Sequence, residues 1–102
     1  MINHDFDVNN LNELISNGVV LLDFYADWCG PCKMLSPELD TLVKNNSNIM
    51  VYKINVDNNP DIARSYGIMT IPTLVLYKEG KLVNKSSGYR TSDDLEEWIR
   101  GA

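Results

Sequence analysis

Apolar residues recur at Val8, Leu11, Leu14 and Ile15, the spacing of one helical face, with Asp7 placed to cap the start and Gly18 to stop it. The pattern then changes period. Residues 19–26 (Val-Val-Leu-Leu-Asp-Phe-Tyr-Ala) run apolar without alternation except at Asp23, as a strand covered on both faces does. Helical spacing returns at Met34, Leu35, Leu39, Leu42 and Val43, in a longer segment that Pro37 should kink and the polar residues 45–48 should end. A second strand is expected over 49–56, and strand, helix, strand over this length predicts a right-handed parallel crossover. Asn59 stands ready to cap a short helix with Pro60 at its first position, Ile62, Ala63 and Tyr66 along it and Gly67 closing it. Residues 73–77 and 82–85 flank Glu79-Gly80, which predicts a β-hairpin and hence an antiparallel pair. Thr91 and Asp94 make a capping-box pattern ahead of Leu95, Trp98 and Ile99 in a last amphipathic helix, where Trp98 is spaced for packing. The sum is an α/β domain with a mixed sheet.

With 102 residues, the chain has room for a single domain, residues 1–102, and shows no repeat, linker or low-complexity tract. Its net charge of -5 and nine scattered Lys and Arg residues would repel a phosphate backbone, so no nucleic acid partner is expected. No apolar run approaches the roughly 18 to 20 residues that span a bilayer, so no membrane segment is expected either. Residues 1–10 carry Asp5, Asp7 and three Asn, without the basic start and apolar stretch of a secretory signal, and read as mature sequence.

The chemistry lies in Trp28-Cys29-Gly30-Pro31-Cys32-Lys33, where the long strand gives way to a helix. Two cysteines three apart close too short a loop to staple a fold, which points to a chemical role. At i and i+3, with the second one turn into a helix, their Cα atoms come within disulfide reach. Unpaired N–H groups and the positive end of the helix dipole favour an anion, which lowers the pKa of the first thiol and makes Cys29 the predicted nucleophile. A structural zinc wants four ligands, and only His4, in an unrelated segment, is on offer, so no metal is expected. Covalent haem needs His after the second cysteine, where Lys33 stands. Two inert buried thiols are the competing reading, against which the flanking Gly-Pro and the helix start argue for access.

This motif resembles the active-site sequence of the thioredoxin family without a change. The likeness extends through Asp23-Phe24-Tyr25-Ala26, Pro37, Lys53, Asp57-Asn58-Asn59-Pro60, Tyr66-Gly67, Ile71-Pro72-Thr73, Gly80 and Gly88. It implies the thioredoxin fold: a central mixed β-sheet flanked by helices on both faces. It further implies a protein-disulfide reductase in which the Cys29 thiolate attacks a target disulfide and Cys32, deeper in the helix, resolves the mixed disulfide. By the same resemblance Asp23 is the buried proton acceptor behind the pair and Lys53 its tuning partner. The residues alone equally allow an Asp23 that reaches solvent or is held in an ion pair with Lys53. Ile71-Pro72 resembles the family's cis-proline segment, and Trp28, Gly30, Pro31, Ile71, Pro72 and Gly88 are then the implied substrate-binding surface. Spacing alone leaves Trp28 free to be a core residue. Tyr25 stands where many relatives have Trp, and Thr70 where Gly is frequent.

The resemblance also implies no bound cofactor, reducing equivalents from a thioredoxin reductase, disulfide-containing protein substrates, a monomer and a cytoplasmic location. Two other functions share the fold. An exported thiol oxidase or isomerase typically carries His between its cysteines, and a non-catalytic binding subunit would keep its role after both cysteines became serine.

Overall fold

In the computed structural model, residues 1–4 and 7–102 are described, and the packing expected of the Val8 side chain lies outside that description. The chain forms β1 (Ile2–Asn3), a 3-10 turn (Val8–Asn10) leading into α1 (Leu11–Leu14), β2 (Val19–Tyr25), α2 (Gly30–Asn45), β3 (Ile49–Asn55), α3 (Pro60–Ser65), β4 (Thr73–Lys78), β5 (Lys81–Ser87) and α4 (Ser92–Gly101). One five-stranded sheet runs in the order β1-β3-β2-β4-β5. β2 lies parallel to β3, from Val19 opposite Ile49 to Tyr25 opposite Asn55, and antiparallel to β4. The mixed sheet is therefore as expected, with the parallel pair joined through α2.

Side chains alternate between the two faces of a strand, so β2 feeds two cores at once. Leu21 joins Val51, Leu74 and Leu76 under Leu35, Leu39 and Leu42 of α2 and Leu95 and Ile99 of α4. Val20, Leu22 and Phe24 face the other way, against Ile62 and Ala63 of α3, with Leu11 and Leu14 packed alongside. Helices cover both faces, which is why β2 reads as a continuous apolar run. Trp98 packs at the margin of the first core with Arg90 over its ring, the packing role expected of it.

Local hydrogen bonds set the details of these elements. The first helix begins as a 3-10 turn, because Asp7 Oδ1 accepts from the Asn9 N–H (3.0 Å) while its carbonyl accepts from Asn10 N–H (3.1 Å), which tightens the start. α2 continues through Pro37, whose carbonyl accepts from Thr41 Oγ1 (3.1 Å). Asn59 occupies the N-cap position without capping: its amide donates instead to the Asn55 carbonyl (3.0 Å), and Pro60 begins the helix. The final cap is as expected, with Thr91 Oγ1 accepting from Asp94 N–H (3.2 Å). At the hairpin, Glu79 and Gly80 both adopt positive φ (50° and 81°), the mirror-image turn that suits strand twist. A Cβ on Gly80 would also meet the Ser16 carbonyl at 3.3 Å, so side chains are disfavoured there twice over.

Candidate active site: a disulfide at the start of a helix

Cys29 is the N-cap of α2, with extended backbone (φ -90°, ψ 112°), and its sulfur accepts the Cys32 N–H at 3.2 Å. Sulfur thus takes the place that a serine or aspartate oxygen fills in an ordinary cap, at the positive end of a 16-residue helix. The two cysteines form a disulfide with Cα atoms 5.3 Å apart. Their exposures do not separate them, at 5% for Cys29 and 6% for Cys32, so the second is not deeper in that sense. Surroundings separate them instead. Cys29 Sγ lies 3.7 Å from the Ile71 carbonyl oxygen, whereas Cys32 lines a cavity of about 150 Å³ with Tyr25, Lys33, Ser36 and Lys53.

Behind the pair, Asp23 is buried at 2% exposure, two residues along β2 from Leu21 and hence on the α2 face of the sheet. Lys53 Nζ stands 3.7 Å from Asp23 Oδ2, 3.2 Å from Ser36 Oγ and 5.0 Å from the centre of the Tyr25 ring. Of the readings left open, burial and ion pairing hold together and solvent access does not. At 3.7 Å the attraction is Coulombic and does not replace a hydrogen bond, and Asp23 Oδ1 has no hydrogen-bond partner among the described residues. Burial raises the carboxyl pKa from 3.8 to about 6, and Lys53 opposes the rise without cancelling it.

The Ile71-Pro72 bond is cis, and the Pro72 carbonyl accepts from the Gly88 N–H at 2.8 Å. Trp28 is 70% exposed, which removes the core reading, and its Nε1 donates to Asp57 Oδ2 at 2.9 Å. Gly30 and Pro31 are exposed beside it, Ile71 and Gly88 half-buried, and Pro72 buried. Trp28, Val56, Ile68, Met69 and Ile71 line a hollow of about 320 Å³ next to Cys29. Spacing does not reveal Asp57, Ser36 or Met69 as neighbours of this site. For Asp57 the available signal was its place in the Asp-Asn-Asn-Pro stretch of the family likeness. Among the described residues no group of three or more His, Cys, Asp or Glu is placed to hold a metal, and no helix is long and apolar enough to cross a membrane.

A redox-active pair of this geometry, on a mixed sheet with helices on both faces, defines a thiol-disulfide oxidoreductase whose chemistry resides in its own sulfur atoms. The family model described as Thioredoxin matches residues 3–101. Similar proteins include the thioredoxins of Chlamydia caviae, 46% identical over 86 residues (84% of each chain), and Bacillus subtilis, 45% identical over 85 residues (82% of each). The structure of oxidised mitochondrial thioredoxin 3 from Saccharomyces cerevisiae superposes with a TM-score of 0.88 at 36% identity, covering 99% of this chain and 95% of that one. The chain belongs to the thioredoxin family, and its Cys-Gly-Pro-Cys disulfide and its relatives support the activity of a protein-disulfide reductase.

Proposed function

We propose that the chain works as a single-domain, monomeric, cytoplasmic reductase of protein disulfides that a thioredoxin reductase recharges. The observation that carries this reading is the placement of Cys29 as a helix cap with Cys32 in disulfide reach. In the dithiol form the Cys29 thiolate attacks one sulfur of a target disulfide and expels the other as a thiolate. Cys32 then attacks Cys29 Sγ, the target leaves reduced, and the Cys29–Cys32 disulfide remains. Two electrons and two protons from a reductase restore the dithiol. A reducing compartment suits a pair kept as thiols between turnovers. Insulin disulfide reduction coupled to NADPH through a thioredoxin reductase checks this: turnover dependent on both proteins is expected, and absence of turnover by the chemically reduced chain refutes it.

Cys32 has to lose a proton before it attacks, and Asp23 is the group we assign to take it. A carboxylate with a pKa of about 6 is a better base than an ordinary one and still largely ionised at pH 7. The cavity lined by Cys32, Ser36 and Lys53 has room for the water such a transfer uses. Lys53, which lines that cavity, stands 3.7 Å from Asp23 Oδ2 and links the carboxylate to it. Asp23→Asn is expected to slow resolution of a mixed disulfide at pH 7 by about a hundredfold, at the lower end of general-base contributions. An unchanged rate of target release in stopped-flow measurements takes Asp23 out of the mechanism.

The same shift has a stability consequence with a definite sign. Below about pH 3 Asp23 is protonated in folded and unfolded chains alike, and it contributes nothing. Between about pH 3 and about 6 the folded state holds its proton more tightly, so stability falls as pH rises, and the rise from 3.8 to about 6 corresponds to about 3 kcal/mol lost by pH 7 to 8. Asp23→Asn removes that loss, which is already net of the attraction to Lys53. At pH 8 the variant should therefore be about 1 to 3 kcal/mol more stable, with the difference gone near pH 3. Urea titrations of both proteins across this range check it, and a difference independent of pH contradicts the assignment.

A further inference from the structure

Large apolar side chains stand in solvent beside the Cys29–Cys32 pair, and Met69 is the extreme case at 94% exposure. An isolated exposed methionine calls for no explanation. Met69, however, lines the same hollow of about 320 Å³ as Trp28 and Ile71, two residues before the carbonyl that lies 3.7 Å from Cys29 Sγ. Among the described residues no charged side chain lines this hollow, and Asp57 Oδ2 accepts from the indole of Trp28, one of its walls. Ile71 joins the hollow to Cys29 Sγ, so a target cysteine at that sulfur brings its neighbouring residues within reach of the hollow. The thioether of Met69 is unbranched and polarizable, so it can close over side chains of different shape.

The geometry points to Met69 as a specificity-determining residue of the reductase site, selecting targets that carry a large apolar side chain such as Leu, Met or Phe next to the attacked cysteine. The inference rests on the reductase reading above and adds the class of substrate. Closure of Met69 and Trp28 on such a side chain removes apolar surface of both partners from water. A serine in the same place would leave the hollow half-filled and its walls wet. Discrimination of about tenfold is expected, in the range that apolar pockets achieve between side chains.

The test compares two disulfide-linked peptides that differ only in Leu or Ser beside the cysteine, each reduced by the dithiol protein at pH 7, with second-order rate constants read from thiol release. The wild-type rate constant should favour the Leu peptide about tenfold. Met69→Gln, similar in length but polar, should bring that ratio to about twofold, and Met69→Leu should restore most of it. Leu82→Gln, an equally drastic change at an exposed apolar residue on β5, should leave the ratio as in wild type. A wild-type protein that reduces neither peptide overturns the reductase reading. Reduction of both at one rate, or a ratio unmoved by Met69→Gln, overturns the role of Met69 and leaves that reading in place.

Discussion

Cys29→Ser should abolish protein-disulfide reduction, by several orders of magnitude in the insulin assay, while leaving the reduced protein about as stable as wild type. The two halves of this result have one cause. A serine hydroxyl stays protonated at pH 7, so no nucleophile is left at the attacking position. As a helix cap, though, serine is among the best residues, and its oxygen can accept the Cys32 N–H that Cys29 Sγ accepts now. Cys32→Ser should separate from it cleanly. The first attack remains and only the resolving step is lost, so a covalent adduct with the target should persist and appear by mass as protein plus target. Urea midpoints of both variants, compared with wild type under reducing conditions, check the stability half. Substantial turnover by Cys29→Ser, or no trapped adduct with Cys32→Ser, would exchange the roles of the two sulfurs.

The largest effect on stability is expected at Phe24. Its ring is fully buried on the α3 face of β2 and packs at a tilt against Tyr66, with centroids 5.4 Å apart. Phe24→Ala removes the ring from a closed interior and leaves a cavity that strands on either side cannot collapse into, a cost of about 3 to 5 kcal/mol. A domain of this size has only about 5 to 15 kcal/mol in total. The melting temperature should drop by about 15 to 30 °C, at about 4 to 8 °C for each kcal/mol. A decrease in the urea midpoint at constant slope is the matching signature. A loss below about 1 kcal/mol would mean that the second core tightens around the vacancy. Because Asp23 follows Leu22 and precedes Phe24 on one strand, the variant should also loosen the carboxylate, which would tie the proposed proton transfer to packing on the opposite face of the sheet.

Features set by local pattern were legible in advance. The apolar run of β2 reports burial on both faces directly, the Thr91 and Asp94 pair marks the start of α4, and Glu79-Gly80 marks the hairpin. β1 was not legible, because two residues contain no periodicity. It exists through pairing with β3, where the Met1 carbonyl accepts from the Val51 N–H at 2.8 Å. The capping role of Asn59 failed for a similar reason: the carbonyl of Asn55, four residues back, competes for its amide, and only the bend after β3 brings the two together. At the site, the cysteine pair and its helix were readable from spacing. The burial of Asp23 together with its ion pair was not, since one depends on α2 covering the strand and the other on the register of β2 against β3. Asp57 and Met69 meet the site across 29 and 40 residues of chain from Trp28 and Cys29, a distance that no local pattern carries.

β2 runs parallel to β3 and antiparallel to β4, with Phe24 opposite Thr73. The end of β2 that leads to Cys29 therefore lies beside the beginning of β4, where Ile71 and Pro72 enter the sheet. Cys29 Sγ and the Ile71 carbonyl, 3.7 Å apart, are thus held just beyond neighbouring strand ends of one sheet. Whatever bending brings a disulfide into line with them has to be supplied by the visiting protein, so bonds held in mobile or extended segments of a target should be reduced ahead of those locked inside rigid domains.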